Sequence, residues 1–141
     1  MNNKANIKIV VDTNTLISAL GWGGNEYRLI EKCMLGEVTL VLSLDILKEF
    51  KGVAKRDKFG FTGEDIDEFV DALVRACIIT QPDIKLDVVG RDPKDNMILG
   101  CGVSGNAEYI ASGDNDLLYL EEYEGIRIVR TKRMLELIEE R

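Results

Sequence analysis

The chain has 141 residues, of which 45% are hydrophobic and 30% are charged, with a net charge of -7, a balance typical of one soluble globular domain. No apolar run approaches the roughly 20 residues that cross a bilayer, and the first residues lack the features of a signal peptide, so we expect a cytoplasmic protein without membrane contact. The complete absence of histidine excludes Ser-His-Asp and Cys-His catalysis and the usual zinc sites.

The first third of the chain predicts strands that alternate with helices. Ile7–Val11 and Val38–Leu42 are short β-branched runs typical of buried strands. A helical pattern follows the first strand and is broken by the glycines of residues 21–24. A second helix is predicted over Glu26–Leu35. The residues on its predicted inward face are Tyr27, Ile30, Cys33 and Met34.

The rest of the chain continues the alternation. Ser43 and Thr62 are good N-caps for two more helices, and the apolar spacing of the second runs on to Cys77. The later predicted elements are a polar connection over Asp87–Asp95, a helix from Asn96, strands over Ala107–Ser112 and Ile126–Arg130, and a terminal helix. The whole pattern predicts a single domain over residues 1–141, a three-layer α/β/α fold with a mainly parallel sheet of roughly five strands.

The glycines of Gly100–Gly105, GCGVSG, match the G-x-G-x-x-G pattern of dinucleotide-binding turns. That interpretation requires a strand before the glycines and a helix after them. Here a helix start precedes them and a strand follows, and too few residues remain to complete a nucleotide-binding sheet. We therefore predict a glycine-containing helix that packs closely on the sheet and ends at Gly105.

Basic residues are concentrated in two segments of an otherwise acidic chain. Residues 48–58 carry a charge of +3 and residues 126–134 carry +4, which leaves -14 on the remainder. Such segments can be solvated surfaces, or they can contact the phosphates of a nucleic acid around an acidic centre.

Acidic residues follow the predicted strands at positions that favour a ligand site. Asp12 ends the first strand, and Asp114 and Asp116 follow the strand over 107–112. Asp95 lies at a predicted helix start, and Glu49 lies close to the apolar face of the third helix. Each acid alone could simply cap a helix or a turn. Carboxylates brought together without histidine would need a cation to neutralise them, and oxygen-only ligands select Mg²⁺ or Mn²⁺.

Four segments of the chain, in this order, resemble the PIN-domain nucleases, and most closely the prokaryotic VapC-like toxins of toxin–antitoxin systems. The segments are VVDTNTLISALGWGG, LSLDILKEF, DPKDNMILGCGVSGNAEYIASGDNDLL and GIRIVRTKRMLELI. The resemblance covers nearly the whole chain.

The resemblance assigns roles to individual residues. It implies that the catalytic acids are Asp12, Glu49, Asp95 and Asp114. The implied metal ligands are Asp12, Asp95 and Asp114, with Glu49 and Asp116 near a second ion. Asn14 and Ser112 match the polar positions that orient the carboxylates, whereas Asp92 is interpreted as turn-forming.

The resemblance also implies the reaction and the partners. We expect hydrolysis of single-stranded or looped RNA with one or two Mg²⁺ or Mn²⁺ ions, a protein antitoxin as partner, and a homodimer or higher homo-oligomer. The basic residues expected to grip phosphates are Lys48, Lys51, Lys55, Arg56, Arg130 and Lys132.

Three alternatives stay open at the level of sequence. A PIN nuclease can process RNA without being a toxin, and a catalytically silent PIN-like module can act by binding alone. A haloacid-dehalogenase-like phosphatase carries D-x-D-x-T after its first strand. Here Asn14 stands where that pattern needs its second aspartate, and an amide cannot donate the proton that this reaction requires.

Overall fold

The computed structural model describes residues 7–82 and 92–141. The predicted polar connection therefore lies outside the described residues from 87 to 91. The strands are β1 (Lys8–Val11), β2 (Thr39–Ser43), β3 (Cys77–Thr80), β4 (Tyr109–Ala111), β5 (Glu122–Tyr123) and β6 (Ile126–Val129). The helices are α1 (Thr13–Gly21), α2 (Asn25–Met34), α3 (Leu44–Ala54), α4 (Gly63–Ala76), α5 (Pro93–Ser104), α6 (Asn115–Leu120) and α7 (Thr131–Glu139), and Asp57–Phe59 forms a 3₁₀ turn.

The described strands form one sheet in the order β3-β2-β1-β4-β6-β5. All neighbouring pairs are parallel except β5 and β6, so the predicted mainly parallel α/β fold is confirmed. The strand order reverses at β1, because β2 lies on one side of it and β4 on the other. In open parallel sheets such a switch point opens a crevice beyond the carboxyl ends of the strands.

The sheet has six strands where about five are predicted. The apolar spacing predicts that α4 continues to Cys77, but the helix ends at Ala76 and the next four residues form the edge strand β3. The other unpredicted strand, β5, has only two residues. Both are edge strands with partly exposed residues. The apolar residues of β3 continue the helical spacing of α4, and β5 has no apolar run, so neither is recognised as a strand from the sequence.

The core lies on both faces of β1 and β2. Ile9, Val10 and Val11 are fully buried in β1, and each such side chain contributes roughly 1.5–3 kcal/mol relative to an exposed one. The inward face of α2 differs from the prediction at one position, since Tyr27 is 47% exposed and Leu29 is buried. Tyr27 instead points to solvent, where its hydroxyl donates a hydrogen bond to Glu31.

The predicted helix caps are confirmed. The Ser43 hydroxyl accepts a hydrogen bond from the Ile46 amide at 3.1 Å. Thr62 and Asp65 form a reciprocal capping box at the start of α4. α5 begins at Pro93, three residues before the predicted start, because Asp92 caps it and proline is favourable in the first helical position.

The glycines of the GCGVSG segment pack α5 against the sheet. A Cβ atom on Gly102 would lie 3.0 Å from Cδ1 of Ile126, and one on Gly105 would lie 2.4 Å from Cγ1 of Val41. Gly105 also follows the last helical residue, as predicted. The segment is therefore a close-packed helix, and the predicted reason for its glycines is confirmed at these two positions.

Replacing Gly105 with alanine is expected to destabilise the protein by about 1–3 kcal/mol, because Val41 is fully buried and has little room to move. Urea unfolding followed by circular dichroism measures the change. Gly52→Ala is the matched control, since Gly52 is an exposed residue of α3 with open space around it, and alanine should stabilise that helix by up to about 1 kcal/mol. Equal midpoints for the two variants would contradict the packing argument.

Candidate active site

Asp12 and Ser112 meet at the carboxyl edge of the sheet because of strand register. Val11 pairs with Ala111 in the parallel ladder of β1 and β4, so the next residues of both strands lie side by side. The Ser112 hydroxyl donates a hydrogen bond to Oδ2 of Asp12 at 2.5 Å. The other oxygen, Oδ1, accepts bonds from the amide and the hydroxyl of Thr15 at 2.8 and 2.7 Å. Asp12 therefore caps α1 and is also held in place from β4.

Ser112 connects Asp12 to the acids that follow β4. Its hydroxyl oxygen accepts a hydrogen bond from the Asp114 amide at 2.9 Å. Oδ1 of Asp114 in turn accepts a bond from the Asp116 amide at 2.9 Å, which starts α6. Ser112 is fully buried, so its bond to Asp12 is shielded from water, whereas the bond between Asp114 and Asp116 is exposed.

Asp95 enters the same region from the first turn of α5. Asp92 caps this helix, since its Oδ1 accepts a hydrogen bond from the Lys94 amide at 2.8 Å. Three residues after the cap, the Asp95 side chain turns toward the sheet and is 4% exposed. Its carboxylate oxygens come within 4.8 Å of those of Asp114 and Asp116.

Burial raises the pKa of Asp95 to about 6. A hydrogen bond with Asp114 and the negative charge of that residue raise the pKa further, and the charges of Asp92 and Asp116 act in the same direction. A shared proton thus relieves repulsion within the carboxylate cluster at mildly acidic pH. A cation in the same place would do so at neutral pH.

The raised pKa of Asp95 predicts how stability depends on pH. The folded protein binds this proton more tightly than the unfolded chain does, so ionisation of Asp95 opposes folding as the pH rises from about 4 to about 6, and its effect is constant above that range. We therefore expect Asp95→Asn to gain stability relative to the unsubstituted protein between pH 4 and pH 7 without metal. Thermal unfolding in the presence of a chelator measures the difference, and a difference independent of pH would contradict the assignment.

A cleft of about 250 Å³ unites most of the predicted site residues. The predicted residues that line it are Asp12, Asn14, Glu49, Arg56, Asp95 and Asp114. Glu49 reaches the cleft from α3 and is half-buried. Asp116 joins the site through its carboxylate contact with Asp95 and Asp114, and Ser112 supports it from beneath.

The predicted basic residues are less closely grouped. Of these, only Arg56 lines the acidic cleft among the described residues. Lys48 lines a neighbouring cavity of about 530 Å³, to which Glu49 also belongs. Lys51 and Lys55 are exposed on or just after α3. The remaining two, Arg130 and Lys132, are exposed near the start of α7, and Arg130 donates a hydrogen bond to Asn115 beside Asp114.

Two polar residues of the cleft were not predicted from the sequence. Lys94 lines the cleft and lies between Asp92 and Asp95 in the chain. Its position next to a predicted ligand, Asp95, could have indicated that it belongs to the site. Thr13 also lines it, and its buried hydroxyl is, within residues 7–82 and 92–141, the one buried side-chain oxygen without a hydrogen-bond partner. No sequence signal distinguishes Thr13 from an ordinary residue in the first turn of a helix.

The donor set fits a hard divalent cation. Within the described part of the chain, Asp95, Asp114 and Asp116 form the one group of potential ligands whose atoms lie close enough to share an ion. All the atoms are carboxylate oxygens, which suit Mg²⁺ and Mn²⁺. Asp12 lines the same cleft but stands outside this group, and its oxygens accept hydrogen bonds from Thr15 and Ser112.

Comparisons with known proteins agree with this fold. The family model of the PIN domain matches residues 8–116. The crystal structure of VapBC2 from Rickettsia felis, bound to a DNA fragment from their promoter, contains a chain similar in fold, with a TM-score of 0.58 and 16% identity over 86% of this chain and 97% of that one. No curated protein matches the sequence. Over the described residues, no helix is long and apolar enough to span a bilayer.

Proposed function

The chain belongs to the PIN-domain family, a family of nucleases, and from this premise we propose that it is a ribonuclease that hydrolyses single-stranded or looped RNA with Mg²⁺ or Mn²⁺. Membership of this family excludes the haloacid-dehalogenase-like alternative. The observation that supports the proposal most is that one cleft is lined by four acids, Asp12, Glu49, Asp95 and Asp114. A purely structural set of helix caps would not need to converge in this way.

We assign the metal to the carboxylates of Asp95, Asp114 and Asp116, with Asp12 and Glu49 facing the same space. When bound, a divalent ion supplies Lewis acidity toward a phosphodiester oxygen and lowers the pKa of a water molecule. One or two ions are compatible with the number of acids. The Ser112 hydroxyl and the first turn of α1 keep the Asp12 carboxylate in a fixed orientation, which is the role of supporting groups around a metal.

The cationic residues of the cleft are assigned to the substrate. Arg56 approaches from the end of α3 and Lys94 from the start of α5, so positive charges flank the acids on two elements. Both can neutralise phosphates of the RNA on either side of the cleaved bond. Because phosphates carry no sequence information, these contacts give affinity without base preference. Asn14 lines the cleft, and we assign it the role of orienting the acids or a phosphate oxygen.

We further propose that the protein is the toxin of a toxin–antitoxin pair with a protein antitoxin as partner. Two observations support this role: the sequence resemblance to VapC-like toxins, and the likeness in fold to a chain of the VapBC2 structure. A non-toxin PIN nuclease would share the same cleft. A small DNA-binding protein encoded beside this gene would favour the toxin role.

Cleavage of single-stranded RNA is expected to require Mn²⁺ or Mg²⁺ and to stop when a chelator is added, because the acid cluster repels the substrate phosphates unless a cation neutralises it. A labelled oligoribonucleotide resolved on a denaturing gel measures the activity. Calcium serves as a control, since it binds oxygen ligands at longer distances than magnesium and should support weaker cleavage. Equal cleavage with and without chelator would contradict the proposed mechanism.

A further inference from the structure

Three aromatic side chains form a cluster where α1 ends. Trp22, the only tryptophan of the chain, contacts Phe59 and Phe61 edge to face, with ring centroids 6.0 and 6.2 Å away. The two phenylalanine rings stack on one another with centroids 5.6 Å apart. Both phenylalanines are half-buried against the core, whereas Trp22 is 55% exposed. The phenylalanines therefore support an indole that faces solvent.

The backbone around the cluster is adapted to it. The Trp22 amide donates a hydrogen bond to the Ser18 carbonyl at 2.9 Å, which ties the tryptophan to the end of α1. A Cβ atom on Gly21 would lie 2.6 Å from Cζ of Phe61, so only glycine allows this close approach without displacing the ring. The tryptophan is thus held in a defined position, which reduces the entropy that binding must overcome.

The cluster is joined to the acidic cleft by two short stretches of chain. α1 begins at Asp12 in the cleft and ends at Gly21, just before Trp22. Phe61 precedes α4, a helix of 14 residues that spans about 21 Å and leads directly into β3. Since β3 runs parallel to β2, α4 ends at the amino edge of the sheet, where β3 starts. The chain between α3 and the cluster also contains Arg56, which lines the acidic cleft itself.

Positive charge borders the aromatic cluster on the side of residues 55–58, whereas the exposed acids Glu64 and Asp65 follow Phe61. The Lys58 ammonium lies 5.1 Å from the centre of the Phe59 ring. Lys55, Arg56 and Lys58 are all exposed, with Asp57 as the one acid between them, in a chain that is otherwise acidic. Aromatic faces with neighbouring cations are typical of surfaces that bind single-stranded nucleic acids, because bases stack on the rings and phosphates pair with the cations.

We propose that Trp22, supported by Phe59 and Phe61, stacks on a base of the single-stranded RNA whose phosphates run past Lys58 and Arg56 into the acidic cleft. This inference rests on the proposed ribonuclease function and adds a base-binding subsite to it. The continuity of the basic segment with the cleft favours RNA over a protein as the occupant. Stacking on an indole tolerates any base, so the subsite contributes affinity rather than sequence preference.

The first test compares kinetics of variants. Trp22→Ala is expected to raise the KM for a single-stranded oligoribonucleotide about 5- to 100-fold with little change in kcat, because the subsite binds substrate and transition state equally. Trp22→Tyr should retain most of the affinity, since it keeps an aromatic face. Leu35→Ala is the matched control: Leu35 is 71% exposed just before β2, at the edge of the sheet opposite the acidic cleft, and its loss should leave KM unchanged.

The second test measures binding directly through the fluorescence of the single tryptophan. Oligouridylate added to the Asp12→Asn protein should quench Trp22 emission, while double-stranded RNA of equal length should quench it less. The base-binding proposal would be overturned if, in a preparation that cleaves RNA, Trp22→Ala has an unchanged KM and the RNA does not alter the fluorescence. The cluster would then be a surface for a protein partner. If the unsubstituted protein cleaves no RNA, the proposed function fails, and the fluorescence response alone still decides whether the cluster binds bases.

Discussion

Asp12→Asn is expected to reduce the cleavage of single-stranded RNA by at least about 100-fold in Mg²⁺ or Mn²⁺, because even residues that only orient metal ligands contribute about 10- to 100-fold. The folded structure should survive the change. Asparagine caps helices as well as aspartate does, and its carbonyl oxygen can still accept the hydrogen bonds of Thr15. The amide nitrogen that replaces Oδ2 cannot accept the hydrogen bond of the Ser112 hydroxyl, so the measured loss combines the missing negative charge with the loss of this bond.

Two further variants are needed to interpret the loss of activity in Asp12→Asn. Asp67→Asn replaces an exposed aspartate of α4 and should leave the cleavage rate unchanged. Ser112→Ala removes the hydroxyl that connects Asp12 with the Asp114 amide and should cost about 10- to 100-fold, less than the loss of Asp12 itself. Full activity of the Asp12→Asn protein would refute the nuclease assignment to this cleft.

Expression of the protein without a partner is expected to arrest bacterial growth, and Asp114→Ala is expected to relieve the arrest. The reason is that cleavage of cellular RNA would stop translation, and Asp114 holds a central position: its carboxylate contacts Asp95, and its amide is bonded to Ser112. Colony counts after induction measure the effect. The cellular amounts of both proteins must be matched by immunoblotting.

The toxin role can be refuted even if the protein is a nuclease. Normal growth of cells that contain active protein would count against the toxin role and favour an RNA-processing function. Growth arrest that persists in the Asp114→Ala variant would instead indicate binding as the cause, as in a catalytically silent module. Co-expression of the adjacent gene should restore growth if that gene encodes the antitoxin.

The acid cluster shows why single residues were easier to predict than their grouping. Asp12, Asp95 and Asp114 each follow a local signal, a strand end or a helix start, and each of them lines the cleft. Asp116 was assigned near a second ion, and its carboxylate comes within 4.8 Å of those of Asp95 and Asp114. The proximity of Asp116 to Asp95 depends on the position of α5 beside the edge of the sheet. The sequence around each residue does not encode this position. The assignment of individual ligands remains a proposal.

The alternation of strands and helices and the caps at Ser43 and Thr62 could be predicted from the chain alone, because each depends on residues close together in sequence. The family could be predicted because its motifs occur in the right order along the chain. Contacts between distant segments could be known only from the folded structure. Ser112 reaches Asp12 across 100 residues because β1 and β4 pair in one register, and Lys94 enters the cleft because α5 is capped one turn earlier than predicted. The aromatic cluster at Trp22 arises in the same way, since its three rings come from segments that meet only when the chain is folded.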